Sequence, residues 1–313
     1  MTLIADYIRY VSEVRRYSPR TASIYADTLE RFREFVEADS DAALLESLTP
    51  QIIRTWEVHL LDARKESART VTMRLSVLSG FCRYAMKTGK VEANPVRLVG
   101  RPKQEKRLPD FVQADAMARY RSGTEFFASR EAFEAADIAM YDRILDRLIV
   151  DLLYGTGMRR AEIIGVNRSD FDASRGVMHV LGKGDKMREI PLVDTLCEEL
   201  SLYLRLVDNV GIEVRDVPAP LLVTKAGGRL YPMLVQRAVK EGLGSVSGIT
   251  GRKSPHVLRH TLATELLDAG TDLSSIKELL GHSSLAATQV YTHNSIEKLK
   301  KVYGSAHPRA SKK

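Results

Sequence analysis

Residues 254–293 read SPHVLRHTLATELLDAGTDLSSIKELLGHSSLAATQVYTH and hold four of the chain's seven histidines. Arg259 is lodged between His256 and His260, and Tyr291 follows a Gly-His-Ser-Ser turn that contains His282. Pro255, directly after Ser254, marks a helix start, so His256 and Arg259 fall three apart on one helical face. Two histidines four apart raise zinc as an alternative. The metalloprotease pattern needs His-Glu-x-x-His, however, and position 257 is Val. An arginine between the histidines would also repel a cation, so no metal is expected here. Taken alone, a tyrosine among alanines and a valine is core packing more often than chemistry.

The rest of the chain narrows the choice. Its 313 residues suffice for about two domains, and 44% hydrophobic with 28% charged residues is a globular composition. There is no internal repeat and no low-complexity segment. No apolar run approaches the roughly 18 to 20 residues of a membrane span. Asp6 and Arg9 stand where a signal peptide would be apolar, so a cytoplasmic protein without a membrane partner is expected. Cys82 and Cys197 lie far apart in helical patterns, which fits a reducing compartment and excludes a disulfide framework.

The net charge of +7 points to a polyanionic partner, and its distribution says more than its sum. Between residues 64 and 107 a dense run of arginine and lysine meets only Glu66, Glu92 and Glu105. A solvated helix face is the ordinary reading of such a run. Nucleic acid becomes the better one if the remainder of the chain has a reason to hold phosphates.

The first hundred residues read as four helices with short connections. Ser18 with Pro19 and Thr49 with Pro50 are cap and first-turn pairs, and Ser67 opens a fourth helix that runs to Gly89 and carries most of the basic excess. Pro95, Pro102, Pro109 and Gly100 then break the pattern, predicting a helical domain over 1–101, a basic linker over 102–109 and a second domain over 110–313. Helices resume from Val112 and Ala136. Val177–Leu181 and Met187–Pro191 alternate as strands, joined by a Gly182, Lys183, Gly184, Asp185 hairpin.

Two more motifs lie in this second domain. In the Gly155-Thr156-Gly157 turn, Arg159 follows at a helix start, where the N-terminus and the guanidinium fork both favour anions. Alone, it is more often a surface arginine at a cap. Lys183 stands at a hairpin tip, an ordinary exposed position unless a ligand lies within reach; the surrounding sequence is no phosphate-cradling P-loop.

In order, Gly-Thr-Gly-Met-Arg159, Gly-Lys183-Gly, His256-x-x-Arg259-His, Gly-His282-Ser-Ser and Tyr291 resemble the motifs of the tyrosine recombinases, the integrase family, over essentially the whole chain. The closing KLKKVYGSAHPRA resembles the tail of its chromosomal Xer branch. The resemblance implies a mainly α protein: an N-terminal four-helix, SAM-like core-binding domain and an α+β catalytic domain with a small β-sheet. Arg159, Lys183, His256, Arg259, His282 and Tyr291 would be catalytic, with Glu162 orienting the arginine or histidine from one helical turn away. Tyr291 would attack a phosphodiester, giving a 3′-phosphotyrosyl bond without ATP or any other cofactor.

The basic stretch then becomes a DNA clamp, with Arg69, Thr70, Arg74, Arg83 and Lys87 near the groove. The resemblance further implies a homo- or hetero-tetramer on two duplexes, with a second Xer-type recombinase in the hetero form, tail exchange between protomers, a DNA translocase as a further partner, and resolution of chromosome dimers at a dif-like site. Integration or resolution of a mobile element, and type IB topoisomerase-like relaxation, stay open as alternatives.

Overall fold

Three hydroxyl side chains start the long helices of the N-terminal region. Ser18 Oγ accepts from Thr21 N at 3.2 Å, Thr49 Oγ1 from Ile52 N at 3.3 Å and Ser67 Oγ from Thr70 N at 3.2 Å, each satisfying one orphan amide of a first turn. The computed structural model describes residues 2–103, 112–122, 138–182, 186–246, 249 and 251–281. It divides into two compact units, Met1–Arg107 and Leu108–Lys313.

The first unit contains α1 (Leu3–Arg9), which runs into a π-helical turn at Tyr10–Val14, then α2 (Pro19–Phe35), α3 (Asp41–Glu46), α4 (Pro50–Asp62) and α5 (Ala68–Lys87). Leu29, Phe32, Ile53, Trp56, Leu75, Leu78 and Phe81 form its core, with Phe32 and Trp56 edge to face at 5.0 Å between centroids. Each such side chain contributes roughly 1.5 to 3 kcal/mol by leaving water.

The structure differs from expectation in two places. Helix α3 was not predicted, because six residues with only Leu44 buried carry too little periodicity to detect. The break at Pro95 is a packed 3₁₀ turn, Pro95–Leu98, that buries Val96 and Val99 in the first core. Residues 104–109 of the expected linker lie outside the described residues.

In the second unit α6 (Ala114–Ser122) precedes α7 (Tyr141–Thr156), which follows a turn at 138–140; Ala136, expected to start a helix, lies outside the described residues. α7 is buried on nearly every side and packs against the later helices α9 (Asp194–Asn209), α10 (Pro232–Gly242) and α11 (Pro255–Asp268). That explains its apolar residues all round the helix. Between α7 and α9 come α8 (Arg160–Gly165) and an antiparallel sheet of β1 (Phe171–Asp172), β2 (Val177–Leu181) and β3 (Met187–Pro191) in sequential order. β2 and β3 occupy the predicted residues, with Val177 opposite Pro191 and Leu181 opposite Met187. α12 (Leu273–Leu280) follows α11. Among the described residues no helix is long and apolar enough to cross a membrane.

Candidate active site

The site is built on the end of α7. Gly157 caps that helix at φ +61°, and a Cβ there would lie 2.6 Å from Leu280 Cδ2 and 2.9 Å from Leu262 Cδ2. Only glycine satisfies both the left-handed backbone and the close approach of α11 and α12. The chain turns at once into α8, with Arg159 as its N-cap. Glu162, in the first turn of α8, reaches back to accept from the Arg159 backbone N at 2.8 Å and from Arg159 Nη1 at 2.7 Å. One carboxylate therefore fixes both ends of Arg159.

Arg259 comes from α11 and is 8% exposed. Its Nη1 donates to Gly157 O at 2.6 Å and its Nη2 donates to Leu280 O. Arg159 Nη2 donates to Gly281 O at 3.1 Å, and Arg188 Nε, from β3, donates to Leu279 O at 3.0 Å. Three successive carbonyls at the C-terminus of α12 thus each receive a different arginine. Those carbonyls have no partner within the helix and sit at the negative end of its dipole, so guanidinium groups gather there.

The electrostatics are lopsided. Burial pushes the Glu162 carboxyl upward, but hydrogen bonds and charge from Arg188 and Arg159 outweigh it and hold the pKa at about 2. Burial and then the nearby charge of Arg159 depress the Arg259 guanidinium to about 10, which leaves it protonated at neutral pH. Among the described residues, Glu162 is the carboxylate that pairs with Arg159 and Arg188, and Arg259 adds a third guanidinium held by backbone carbonyls. Such a cluster is suited to an anion: its planar donors are already fixed and carry more positive charge than their surroundings neutralise.

Of the residues predicted from sequence, Arg159, Glu162 and Arg259 are brought together. His256 lies on the same helix as Arg259 and is exposed, while His260 is half-buried. Lys183, His282 and Tyr291 lie outside the described residues. In the first unit, Arg69, Arg83 and Lys87 are exposed on α5, and Lys87 Nζ sits 5.4 Å over the Tyr10 ring. The Thr70 hydroxyl lies 2.9 Å from that of Ser67, at the start of the same helix.

Arg74 differs from Arg69, Arg83 and Lys87 in its surroundings. It is 7% exposed, with Nε and Nη2 on Glu66 at 2.7 and 2.8 Å and Nη1 on Asp27 at 3.2 Å. Two carboxylates pair with it, and it is buried within the first unit.

Sequence reasoning missed Arg188. It lies opposite Val180 and, by strand alternation, shares a face with Ile190, which is buried. A charge on the inward face of a strand was the signal that could have found it.

Comparison with known proteins places the chain in a family. The Phage integrase family model matches residues 126–298, and that of the phage integrase N-terminal SAM-like domain matches residues 4–89. Tyrosine recombinase XerC of Chlorobaculum parvum is 33% identical, the alignment covering 98% of this chain and 94% of that protein. XerC of Bacillus subtilis is 35% identical, with 98% and 96% covered, and XerD of Staphylococcus epidermidis is 31% identical, with 99% of each covered. Among solved structures, the Tn1549 transposon integrase in complex with a circular intermediate DNA has the same fold at TM-score 0.67 and 18% identity, over 96% of this chain and 99% of that one. With matches to both family domains and relatives this similar along nearly its whole length, the chain belongs to the phage integrase family, the tyrosine recombinases, and is a site-specific DNA strand-exchange enzyme.

Proposed function

We propose that the Arg159 and Arg259 guanidinium groups clamp the non-bridging oxygens of a scissile DNA phosphate while the Tyr291 hydroxyl attacks its phosphorus. The new bond is a 3′-phosphotyrosyl ester, and the bond that breaks is the one to the 5′-oxygen. Lys183 supplies the proton that this oxygen needs to leave, and His256 takes the tyrosine proton or shares that transfer. His282 hydrogen-bonds the phosphate. A 5′-hydroxyl from another strand reverses the step, so one phosphodiester replaces another and no nucleotide or metal enters the balance. Residues 110–313 would carry this chemistry. Residues 1–101 would hold the duplex through Arg69, Thr70, Arg83 and Lys87, and 102–109 would link the two.

The observation that carries the reading is the convergence of Arg159 and Arg259 on the end of α12, directly before the Gly281-His282 motif. Lysine would serve less well at either arginine because it lacks the planar fork. Identity of 31 to 35% along nearly the whole chain to proteins named XerC and XerD supports chromosome-dimer resolution at a dif-like site, in the cytoplasm, by a tetramer on two duplexes.

The test starts from DNA recovered as a covalent adduct of the wild-type protein. Once sequenced, that site is built into a duplex nicked beside the cleavage position and assayed in EDTA without nucleotide. Wild type and Tyr303→Phe should be trapped on it, and Tyr291→Phe should bind with near wild-type affinity but form no adduct. An adduct with Tyr291→Phe would refute the assignment.

A further inference from the structure

Arg188 donates three side-chain hydrogen bonds into the site. Its side chain is 9% exposed, against 32% for Arg159. Its Nη1 and Nη2 donate to Glu162 Oε1 and Oε2 at 3.1 and 2.8 Å, a fork on both carboxylate oxygens, and its Nε donates to Leu279 O. The same guanidinium lies against two glycines. A Cβ on Gly281 would come 3.2 Å from Arg188 Nη1, and one on Gly182 would come 3.4 Å from the same atom. Gly182 N donates to Lys186 O at 2.8 Å, closing the neck of the β2–β3 hairpin over it. One buried cation is thus held between the hairpin, the end of α12 and the carboxylate that fixes Arg159.

Glu162 has two jobs that compete. It bonds Arg159 through both the backbone N and Nη1, and a lone carboxylate in that position would neutralise the arginine that should meet the phosphate. Arg188 relieves the conflict, because its fork supplies the counter-charge that keeps Glu162 ionised and in place without drawing on Arg159 alone.

Resting on the reading of the site given above, we propose that Arg188 is a positioning residue for strand cleavage, acting through Glu162 to hold Arg159 in its phosphate-binding geometry. Its contribution is exerted on Arg159 and therefore vanishes when Arg159 is absent. Misplacement of a reacting group by about 1 Å costs on the order of 10²-fold in rate, so loss of the fork should be visible in single-turnover cleavage without loss of DNA binding.

The experiment is a double-mutant cycle on the full-length protein, with Arg188→Gln, Arg159→Ala and the double variant, assayed on the nicked duplex. Arg188→Lys is carried alongside as a charge-keeping variant in case the glutamine variant folds poorly. Arg188→Gln should cut about 10- to 100-fold more slowly at saturating DNA, and Arg188→Lys should fall between it and wild type. In the Arg159→Ala background the second substitution should change the rate by less than about twofold.

A methylphosphonate at the scissile position removes the phosphate charge that Arg159 meets, so the Arg188→Gln deficit should shrink on that duplex. With a 5′-bridging sulfur, which leaves without a proton, the deficit should persist. Multiplicative losses with Arg159→Ala, a deficit unchanged on the methylphosphonate, or wild-type rates in both Arg188 variants would each overturn the inference while leaving the enzyme's chemistry intact. Absence of adduct from the wild type would instead overturn the reading beneath it.

Discussion

Arg74 and Arg259 are the same residue at the same depth, one in each unit, 7% and 8% exposed, and they differ in what surrounds them. Burial works against the charge of Arg74, but its hydrogen bonds to Glu66 and Asp27 and their negative charge prevail, so its pKa is raised. Arg259 meets backbone carbonyls and another arginine, and its pKa falls to about 10. A buried cation that is fully paired is part of the structure. One held by carbonyl dipoles beside a like charge is a stored electrostatic imbalance, which a phosphate would relieve. Burial alone therefore does not separate structural from functional arginines. What distinguishes these two is the sign of the charge around them.

Removing each arginine tests the contrast most sharply. Arg259→Met should lower single-turnover cleavage by about 10² to 10³-fold with duplex affinity largely kept, since in the proposed mechanism it deletes a donor to the charge that develops on the phosphate. Arg74→Met should do the reverse. It strands Glu66, while Asp27 keeps Arg31 at 2.9 Å, and should destabilise the protein by roughly 2 to 3 kcal/mol in urea unfolding, below the cost for a fully buried pair because Asp27 is half exposed and stays paired. The fraction that remains folded should cut at the normal rate. Equal cleavage losses from both would erase the distinction.

Acid sharpens it further. The folded pKa of Glu162 is about 2 against an ordinary 4.5, so its contribution is complete above about pH 4.5 and is lost as pH falls toward 2. The difference in Tm between wild type and Glu162→Gln should accordingly be largest near neutrality and shrink below about pH 4. A difference that grows on acidification would reverse the assigned sign.

The smallest effect is expected on the exposed face of α5. Lys87→Glu should leave the cleavage rate at saturating DNA unchanged and reduce the slope of log affinity against log salt by about 1, one phosphate contact's worth. An unchanged slope would remove Lys87 from the DNA-facing surface.

Much of this was legible in the chain. The caps at Ser18, Thr49 and Ser67 depend on a hydroxyl and the backbone within three residues of it, and the β2–β3 hairpin on alternation around a glycine-rich turn. Such local rules need no knowledge of the fold, and those elements appear where they were read. Arg159, Glu162 and Arg259 could be singled out because motif order survives in sequence even though Arg259 meets the other two only in space. Helix α3 escaped because six residues hold too little periodicity, and the packed turn at Pro95–Leu98 escaped because prolines signal a break without saying whether it is buried.

What the sequence by itself determined is the helical class, the place of the sheet, the family motifs and the positive balance of the chain, all of which follow from spacing along one dimension. What only the tertiary structure decided is which arginine faces what. Arg74 read as one more cation in a basic run until Asp27, 47 residues away, proved to be its partner. Arg188 read as an ordinary strand residue until the end of α12, 91 residues on, placed a carbonyl on its Nε. Charge is counted along the chain, but its neutralisation falls off with distance in space, so the role of a buried ion is fixed only when the fold has chosen its neighbours.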